Sequence, residues 1–138
     1  MKYLLDTNIV SDHYKGASPA LDRWMEVQLE GDLAISALTI LELDRGVRQR
    51  ERRDPAQGAT LRLWLDDAVR PLFAGRILPV DERIALIASG LHVPDRMPDM
   101  DALIAATALA HGLTLVTRNV RDMERTGAAL LNPWDLTG

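Results

Sequence analysis

The sequence predicts an α/β fold, in which a central parallel sheet of about five strands carries helices on both faces. Short apolar runs alternate along the chain with longer segments whose apolar residues recur at helical spacing. Capping and turn residues separate these segments, and there is no internal repeat or low-complexity linker. Such alternation favours parallel pairing, because each crossover helix packs on one face of the sheet. We therefore expect one domain over residues 1–138.

The predicted strands are short apolar runs, and the first of them lies at the start of the chain. Apolar residues at Tyr3, Leu4 and Leu5 are followed at once by a polar Asp-Thr-Asn sequence. The fourth run, "LTLVT", is rich in the β-branched residues that favour strands. The predicted strands are residues 2–5, 33–36, 76–80, 113–117 and 130–134.

The helices between these strands are predicted from their starts and stops. Ser18 is a good N-cap and Pro19 fits the first helical position, while Gly31 ends the same segment. Asp81 caps a later helix, and Gly112 is a typical residue to follow the last one. A polar stretch over 48–58 separates two of the helices. The predicted helices are residues 19–29, 39–47, 59–73, 82–89 and 101–111.

The composition restricts the classes of function. Without cysteine there is no disulfide framework and no thiolate ligand, so any metal would be held by oxygen or histidine. The formal charge of −4 argues against an extensive nucleic-acid-binding coat, although 14 of the 16 basic residues are arginine. No run is long and apolar enough for a membrane span or a signal peptide, and we expect a cytoplasmic protein.

Acidic side chains recur just beyond the predicted strands, where open parallel sheets bind their ligands. Asp6 follows the first strand, and Glu42 lies in the first turn of the helix after the second. Asp101 opens the helix 101–111, and Asp122 follows the strand 113–117. The same end of the sheet is predicted to hold Thr7, Asn8, Ser36, Thr39, Asp99, Thr117, Arg118 and Asn119.

Each acid also has a purely structural interpretation. Asp6 is a good N-cap, and Thr39 with Glu42 fits a capping box. Asp101 suits the positive end of a helix dipole, and Asp122 suits a turn. The histidines show no metal-ligand spacing and are assigned no part in the chemistry; they are His13, His92 and His111.

Capping explains each acid separately but leaves their common location unexplained. Carboxylates that converge in one pocket repel one another, which raises their pKa values and costs stability. A divalent cation removes that cost, and Mg²⁺ and Mn²⁺ prefer oxygen ligands. We expect Asp6, Glu42 and Asp101 to meet within a few ångströms. The residues alone thus favour a metal-dependent phosphodiesterase, which activates water and stabilises displacement at phosphorus.

Four segments together resemble the PIN-domain ribonucleases, and specifically the VapC-type toxins of bacterial toxin–antitoxin pairs. These segments are "YLLDTNIVSD", "ISALTILELDRG", "DALIAATALAHGLTLVTRNVRDMERTG" and "LLNPW". The resemblance extends over nearly the whole chain and preserves the order and spacing of the motifs. It implies a PIN-like three-layer sandwich formed by a single PIN domain over residues 1–138.

The resemblance assigns site residues by position. Asp6, Glu42 and Asp101 match the family's metal-ligand acids. The fourth position is either Asn119, directly after "TR", or Asp122, which could supply the charge that asparagine lacks. Asp122 is followed by methionine where the family usually has an aromatic residue. Supporting polar positions that orient the acids or hold phosphate are Thr7, Asn8, Ser36 and Thr117.

The resemblance also implies an activity and partners. The expected reaction is Mg²⁺- or Mn²⁺-dependent hydrolysis of RNA to a 5′-phosphate and a 3′-hydroxyl. The expected partner is a VapB-type antitoxin that docks on helices 37–49 and 56–70 and inserts Arg or Lys into the acidic pocket. A homodimer, larger complexes with antitoxin and operator DNA bound through the antitoxin are further expectations. The arginines expected to steer RNA are Arg45, Arg48 and Arg118.

Three rival functions remain open at this point. One is a DNA-directed nuclease, because the chemistry of the pocket alone does not choose the sugar. A catalytically silent PIN-fold module that binds RNA or protein would not need the acids. A Mg²⁺ phosphatase with an aspartyl nucleophile usually needs a second acid two residues after the first, and that position is Asn8.

Overall fold

The computed structural model describes residues 1–135, so the last three residues of the predicted domain lie outside the described residues. All strand pairs are parallel and form one five-stranded sheet in the order β3–β2–β1–β4–β5. The predicted sheet is therefore confirmed, with shorter strands. The strands are β1 (Tyr3–Leu5), β2 (Leu33–Ser36), β3 (Ile77–Leu78), β4 (Thr114–Val116) and β5 (Leu130–Leu131).

Helices fill the connections between the strands. They are α1 (Thr7–Lys15), α2 (Pro19–Glu26), α3 (Ala37–Arg53), α4 (Pro55–Leu63), α5 (Arg70–Leu72), α6 (Glu82–Leu91), α7 (Asp99–His111) and α8 (Val120–Met123). A π-helical segment (Trp64–Val69) joins α4 to α5. Three 3₁₀ turns cover Glu30–Asp32, Glu124–Thr126 and Pro133–Asp135.

Helix α1 was not among the predicted helices. No helix start was predicted there because Asp6, Thr7 and Asn8 resemble a polar turn. The structure shows that Asp6 is the N-cap, since its carboxylate accepts a hydrogen bond from the Thr7 N–H at 2.8 Å. Gly16 ends the helix in the left-handed region, with φ 62°.

The polar stretch 48–58 is helical rather than a loop, which corrects the sequence analysis. Arginine, glutamine and glutamate are good helix formers, and this part of α3 is polar because it is largely exposed. Pro55 stops α3 and occupies the first position of α4, where Asp54 caps the new helix through the Gln57 N–H. The result is a helical hairpin, α3–α4.

Helix α2 ends at Glu26, three residues before the predicted Leu29. Gly31 does not stop it directly, because it lies inside the 3₁₀ turn Glu30–Asp32 that leads into β2.

The sheet has a core on each face, which confirms the three-layer sandwich. Alternate strand residues point to opposite faces. Leu4 and Leu115 pack with α6 and α7, whereas Leu5 and Val116 pack with α1, α2 and α3. Helix α7 contributes small, fully buried residues to its layer, namely Ala102, Ala105, Ala106 and Ala108.

Strand β1 is central, and the chain reaches its two neighbours, β2 and β4, by separate routes. The carboxyl end of β1 is therefore the switch point at which a doubly wound sheet opens a crevice. Within residues 1–135, none of the helices combines the length and apolarity that crossing a bilayer would require.

Candidate active site

Asp6 lies at the switch point and is almost fully buried, with 5% of its surface exposed. Its backbone N–H donates to the Val116 carbonyl at 2.9 Å, which ties it to the end of β4. Its carboxylate accepts hydrogen bonds from the Thr7 N–H and from the Thr117 hydroxyl, both at 2.8 Å. Asp6 is therefore an N-cap and a buried acid of the crevice at the same time.

The electrostatic surroundings of Asp6 oppose its charge. Burial raises the pKa of Asp6, and the hydrogen bonds from Thr117 and Thr7 lower it. The nearby charges of Asp101 and Glu42 raise the pKa further, and the net direction is upward. Three of the predicted acids thus interact through charge around β1.

Glu42 is held toward this centre by a threonine. Ser36 caps α3 by accepting a hydrogen bond from the Leu38 N–H at 3.0 Å, so the capping-box interpretation of Thr39 and Glu42 is wrong. Glu42 lies one turn deeper in α3 than predicted, and its Oε1 accepts from the Thr7 hydroxyl at 2.6 Å. The Thr39 hydroxyl lies 3.1 Å from that of Thr7. Thr7 therefore links the end of β1 to α3.

Asp101 and Asp122 complete the acidic side of the crevice. Burial raises the pKa of Asp101, and the charges of Glu42 and Asp122 raise it further. Asn119 makes no side-chain cap bond, although its N–H donates to the Thr117 hydroxyl at 3.0 Å. It is thus Asp122, on α8, that acts electrostatically on Asp101. Met123, where the family usually has an aromatic residue, is fully buried in the core.

The acids are coupled but are not drawn together into a coordination shell. Within residues 1–135, no group of three or more acidic or histidine side chains is arranged to hold a metal ion. The donors are nevertheless carboxylate oxygens, which suit a hard divalent cation. Burial first, and the charge of neighbouring acids second, raise the pKa values of Asp6 and Asp101, and a bound cation would relieve both costs. The chemistry of the donor set fits Mg²⁺ or Mn²⁺.

The remaining predicted polar residues have mixed placements. Thr117 contacts Asp6 directly, whereas Ser36 serves as the cap of α3. Asn8 does not bond an acid as expected, because its Oδ1 faces the Arg118 N–H at 3.5 Å.

The three predicted RNA-steering arginines differ in what they contact. Arg48 pairs with Asp44 at 2.6 Å. Arg118 lies 3.7 Å from Asp12, and its guanidinium carbon is 5.2 Å from the centre of the Trp134 ring. Arg45 is exposed, one turn along α3 from Glu42.

Sequence reasoning missed a second set of arginines. A cavity of about 590 Å³ is lined by Asp101 and Asp122 together with Arg96, Arg121 and Arg125. The available signal was the "RDMER" sequence, which places Arg121 and Arg125 on either side of Asp122.

A parallel sheet with interacting acids at its switch point defines an α/β protein with an acidic crevice. The family model described as "PIN domain" matches residues 3–129, and the chain belongs to the PIN-domain family.

The chain is similar over nearly its full length to a protein named as a toxin and to one named as a VapC ribonuclease. It is 33% identical over 137 residues to toxin FitB of Neisseria gonorrhoeae, which covers 95% of this chain and 97% of that protein. It is 34% identical over 142 residues to VapC ribonuclease Y4jK of Sinorhizobium fredii, covering 96% and 97%.

Solved structures show the same architecture. The crystal structure of FitAcB from Neisseria gonorrhoeae matches with a TM-score of 0.87 and 33% identity, over 97% of this chain and 99% of that chain. The structure of FitAB bound to an IR36 DNA fragment matches with a TM-score of 0.83 and 30% identity, over 99% and 98%.

Proposed function

We propose that this protein is a metal-dependent endoribonuclease that acts as the toxin of a VapBC-type pair. The observation that carries the proposal is the set of acids around the end of β1, in which burial first, and the charge of neighbouring acids second, raise the pKa values of Asp6 and Asp101. Full-length similarity to proteins named toxin and VapC ribonuclease supports the same activity.

The chain's own residues prepare the site for a cation and a phosphodiester. Each Asp6 oxygen accepts one hydrogen bond, which leaves lone pairs for a cation. Thr7 holds Glu42, and Asp101 lies near the start of the long, well-packed helix α7. Asp122 adds negative charge near Asp101. When bound, Mg²⁺ or Mn²⁺ would supply an activated water and stabilise the charge that develops at phosphorus.

The proposed partner is a VapB-type antitoxin. The two helices of the α3–α4 hairpin expose apolar side chains, with Leu41 46% and Leu63 62% exposed, beside many arginines. An amphipathic segment of a partner could cover such a face. Self-association of the toxin remains a prediction, as does binding of operator DNA through the antitoxin. The FitAB structure bound to DNA motivates the second.

The test is incubation of the purified protein with an RNA pool, with Mg²⁺ or with EDTA, beside Asp6→Asn. We expect cleavage only with the metal, leaving 5′-phosphate and 3′-hydroxyl ends. Asp6→Asn should slow cleavage more than about a hundredfold, beyond the 10–100-fold typical of groups that only support metal ligands. Asp67→Asn is the matched control, because Asp67 is exposed and has no ionic partner within residues 1–135.

Cleavage that persists equally in EDTA or in Asp6→Asn would remove the metal mechanism. Growth arrest on expression, relieved by Asp6→Asn, separates a toxin from a silent PIN-fold binding module, which would be unaffected by that substitution.

A further inference from the structure

The cavity beside Asp101 and Asp122 differs from the acidic crevice because arginines line it as well. Its volume, about 590 Å³, lies within the range of ligand sites. Its lining comes from the loop between α6 and α7, from the start of α7, and from α8 with the turn that follows it.

The loop that forms one side of this cavity is fixed by side chains. His92 Nδ1 accepts a hydrogen bond from the Met97 N–H at 3.1 Å, and His92 Nε2 lies 3.3 Å from Asp99. The Arg125 guanidinium donates to the Leu91 carbonyl at 2.8 Å and also to the Asp95 carbonyl. Arg125 and His92 therefore brace the loop and hold Arg96 at the cavity.

Two guanidinium groups in the cavity are available to a ligand. Arg96 has one long ion pair, 3.7 Å to Asp99, and its side chain is 81% exposed. Arg121 makes no ion pair or side-chain hydrogen bond anywhere in the part of the chain that the structure describes. Arg125 is different, since backbone carbonyls occupy its guanidinium.

We propose that Arg96 and Arg121 bind a backbone phosphate of single-stranded RNA next to the phosphate that is cut; this rests on the proposed nuclease function. Guanidinium groups pair with phosphate through two parallel hydrogen bonds. Asp101, Asp122 and Glu124 in the same cavity repel an isolated anion. An RNA strand overcomes that repulsion, because its neighbouring phosphate is held at the cation-binding acids. The two arginines thereby position the strand.

An acidic peptide fits the cavity less well. Its carboxylates could reach Arg96 and Arg121. However, no group on the peptide would offset the repulsion between its carboxylates and those of Asp101 and Asp122. Repeating phosphates at a fixed spacing satisfy both halves of the cavity, and a strand of RNA supplies them.

The test compares Arg96→Ala and Arg121→Ala with Arg23→Ala, which removes an exposed arginine on α2, far from the cavity in the fold. Loss of either cavity arginine should lower kcat/KM for a single-stranded RNA about tenfold, through KM more than kcat. The salt dependence of RNA binding should also weaken, with the slope of log K against log salt smaller by about 0.7 per arginine. Arg23→Ala should match the wild type in both measurements.

A chemically altered substrate identifies the contact. A methylphosphonate next to the cleaved bond removes one phosphate charge. If Arg121 contacts that phosphate, Arg121→Ala and the wild type should cleave the altered RNA with the same kcat/KM. If Arg121→Ala still costs tenfold at every methylphosphonate position, the arginine does not contact that phosphate and the proposal is wrong.

The remaining outcomes separate this proposal from the proposed function. Wild-type cleavage with unchanged KM and salt slope in both arginine variants overturns the proposal and leaves the nuclease assignment intact. Weakened antitoxin binding with normal cleavage also overturns it, and assigns the cavity to the protein partner. If the wild type cuts no RNA, the nuclease assignment fails. The salt slope, measured on uncut RNA, then still shows whether Arg96 and Arg121 bind phosphate.

Discussion

Two arginine-rich flanks, the α3–α4 hairpin and the cavity lined by Asp101 and Asp122, differ in what their guanidinium groups contact. On the α3–α4 hairpin, Arg62 lies 2.6 Å from Asp44 and 3.0 Å from Glu51, and Arg48 also pairs with Asp44 at 2.6 Å. Hydrogen bonds from Arg48 and Arg62 lower the pKa of Asp44. Arg48 and Arg62 are thus paired with acids of their own hairpin, whereas Arg45, Arg52 and Arg53 on α3 make no ion pair within residues 1–135.

The flank formed by α8 and the loop before α7 has fewer arginines, but two of them have little or no internal pairing. Arg96 has only a long ion pair, and Arg121 has none within residues 1–135. The number of arginines in a segment therefore does not measure its attraction for an anion. What matters is whether acids lie within ion-pairing distance.

The largest expected effect is the stabilisation of the folded protein by Mg²⁺ bound at the acids of the candidate site. Mg²⁺ at about a hundred times its Kd should add about 2.7 kcal/mol to the free energy of unfolding, because it binds the folded state alone. Thermal denaturation at pH 7 with Mg²⁺ and with EDTA measures this. Asp101→Asn should lose most of the gain, while Asp67→Asn should keep it. An equal Mg²⁺ effect in Asp101→Asn would mean that the ion binds elsewhere.

The same acids predict a pH dependence in EDTA. The pKa of Asp101 is raised above its ordinary 3.8, so the folded protein holds this proton more tightly than the unfolded chain does. The stability gained from this proton is therefore fully present below about pH 3.8. It is lost as the pH rises through the raised pKa of Asp101 in the folded protein. Asp101→Asn should accordingly be more stable than the wild type at pH 7, with the difference vanishing at low pH. A difference that does not change with pH would contradict this.

The geometry of the paired flank depends on close packing of its two helices. A Cβ at Gly58 would lie 2.6 Å from the Glu51 backbone nitrogen, so α3 and α4 would have to move apart. We expect Gly58→Ala to lower the free energy of unfolding by about 2 kcal/mol, as overpacking does. Gly46→Ala meets nothing within 4 Å and should raise it by about 0.5–1 kcal/mol, since alanine favours a helix. Chemical denaturation measures the free energy of unfolding of both variants. If Gly58→Ala and Gly46→Ala change it by similar amounts, tight packing at Gly58 is not the cause.

Periodicity and capping residues predicted the sheet and most helices, because those signals are local. The hairpin was missed for a physical reason. A helix that exposes most of its surface has no apolar stripe, and residues 48–58 consequently resembled a loop. Helix α1 was missed because Asp6, Thr7 and Asn8 resemble a polar turn, although Asp6 is the N-cap of that helix.

The placement of acids beyond parallel strands at one edge of the sheet was predictable in outline. Their role as metal ligands stays a prediction. The finer contacts of the site were not predictable. The link from Thr7 to Glu42 joins residues 35 positions apart, and the one from Thr117 to Asp6 joins residues 111 apart. The pairing of Arg48 and the availability of Arg121 depend on neighbours that only the fold supplies. Local charge runs consequently directed attention to Arg48, which Asp44 already pairs within the hairpin.

The smallest predicted effect is also the most direct test of the difference between the flanks. Arg48 lies in the arginine run that the sequence suggested for RNA steering, yet Asp44 occupies its guanidinium at 2.6 Å. Arg48→Ala should change kcat/KM for RNA less than about twofold, because an exposed ion pair contributes little and Arg62 still holds Asp44. The same cleavage assay compares it with Arg121→Ala. A loss in Arg48→Ala as large as that in Arg121→Ala would show that RNA displaces Asp44 from Arg48, and that internal pairing does not decide which flank binds the strand.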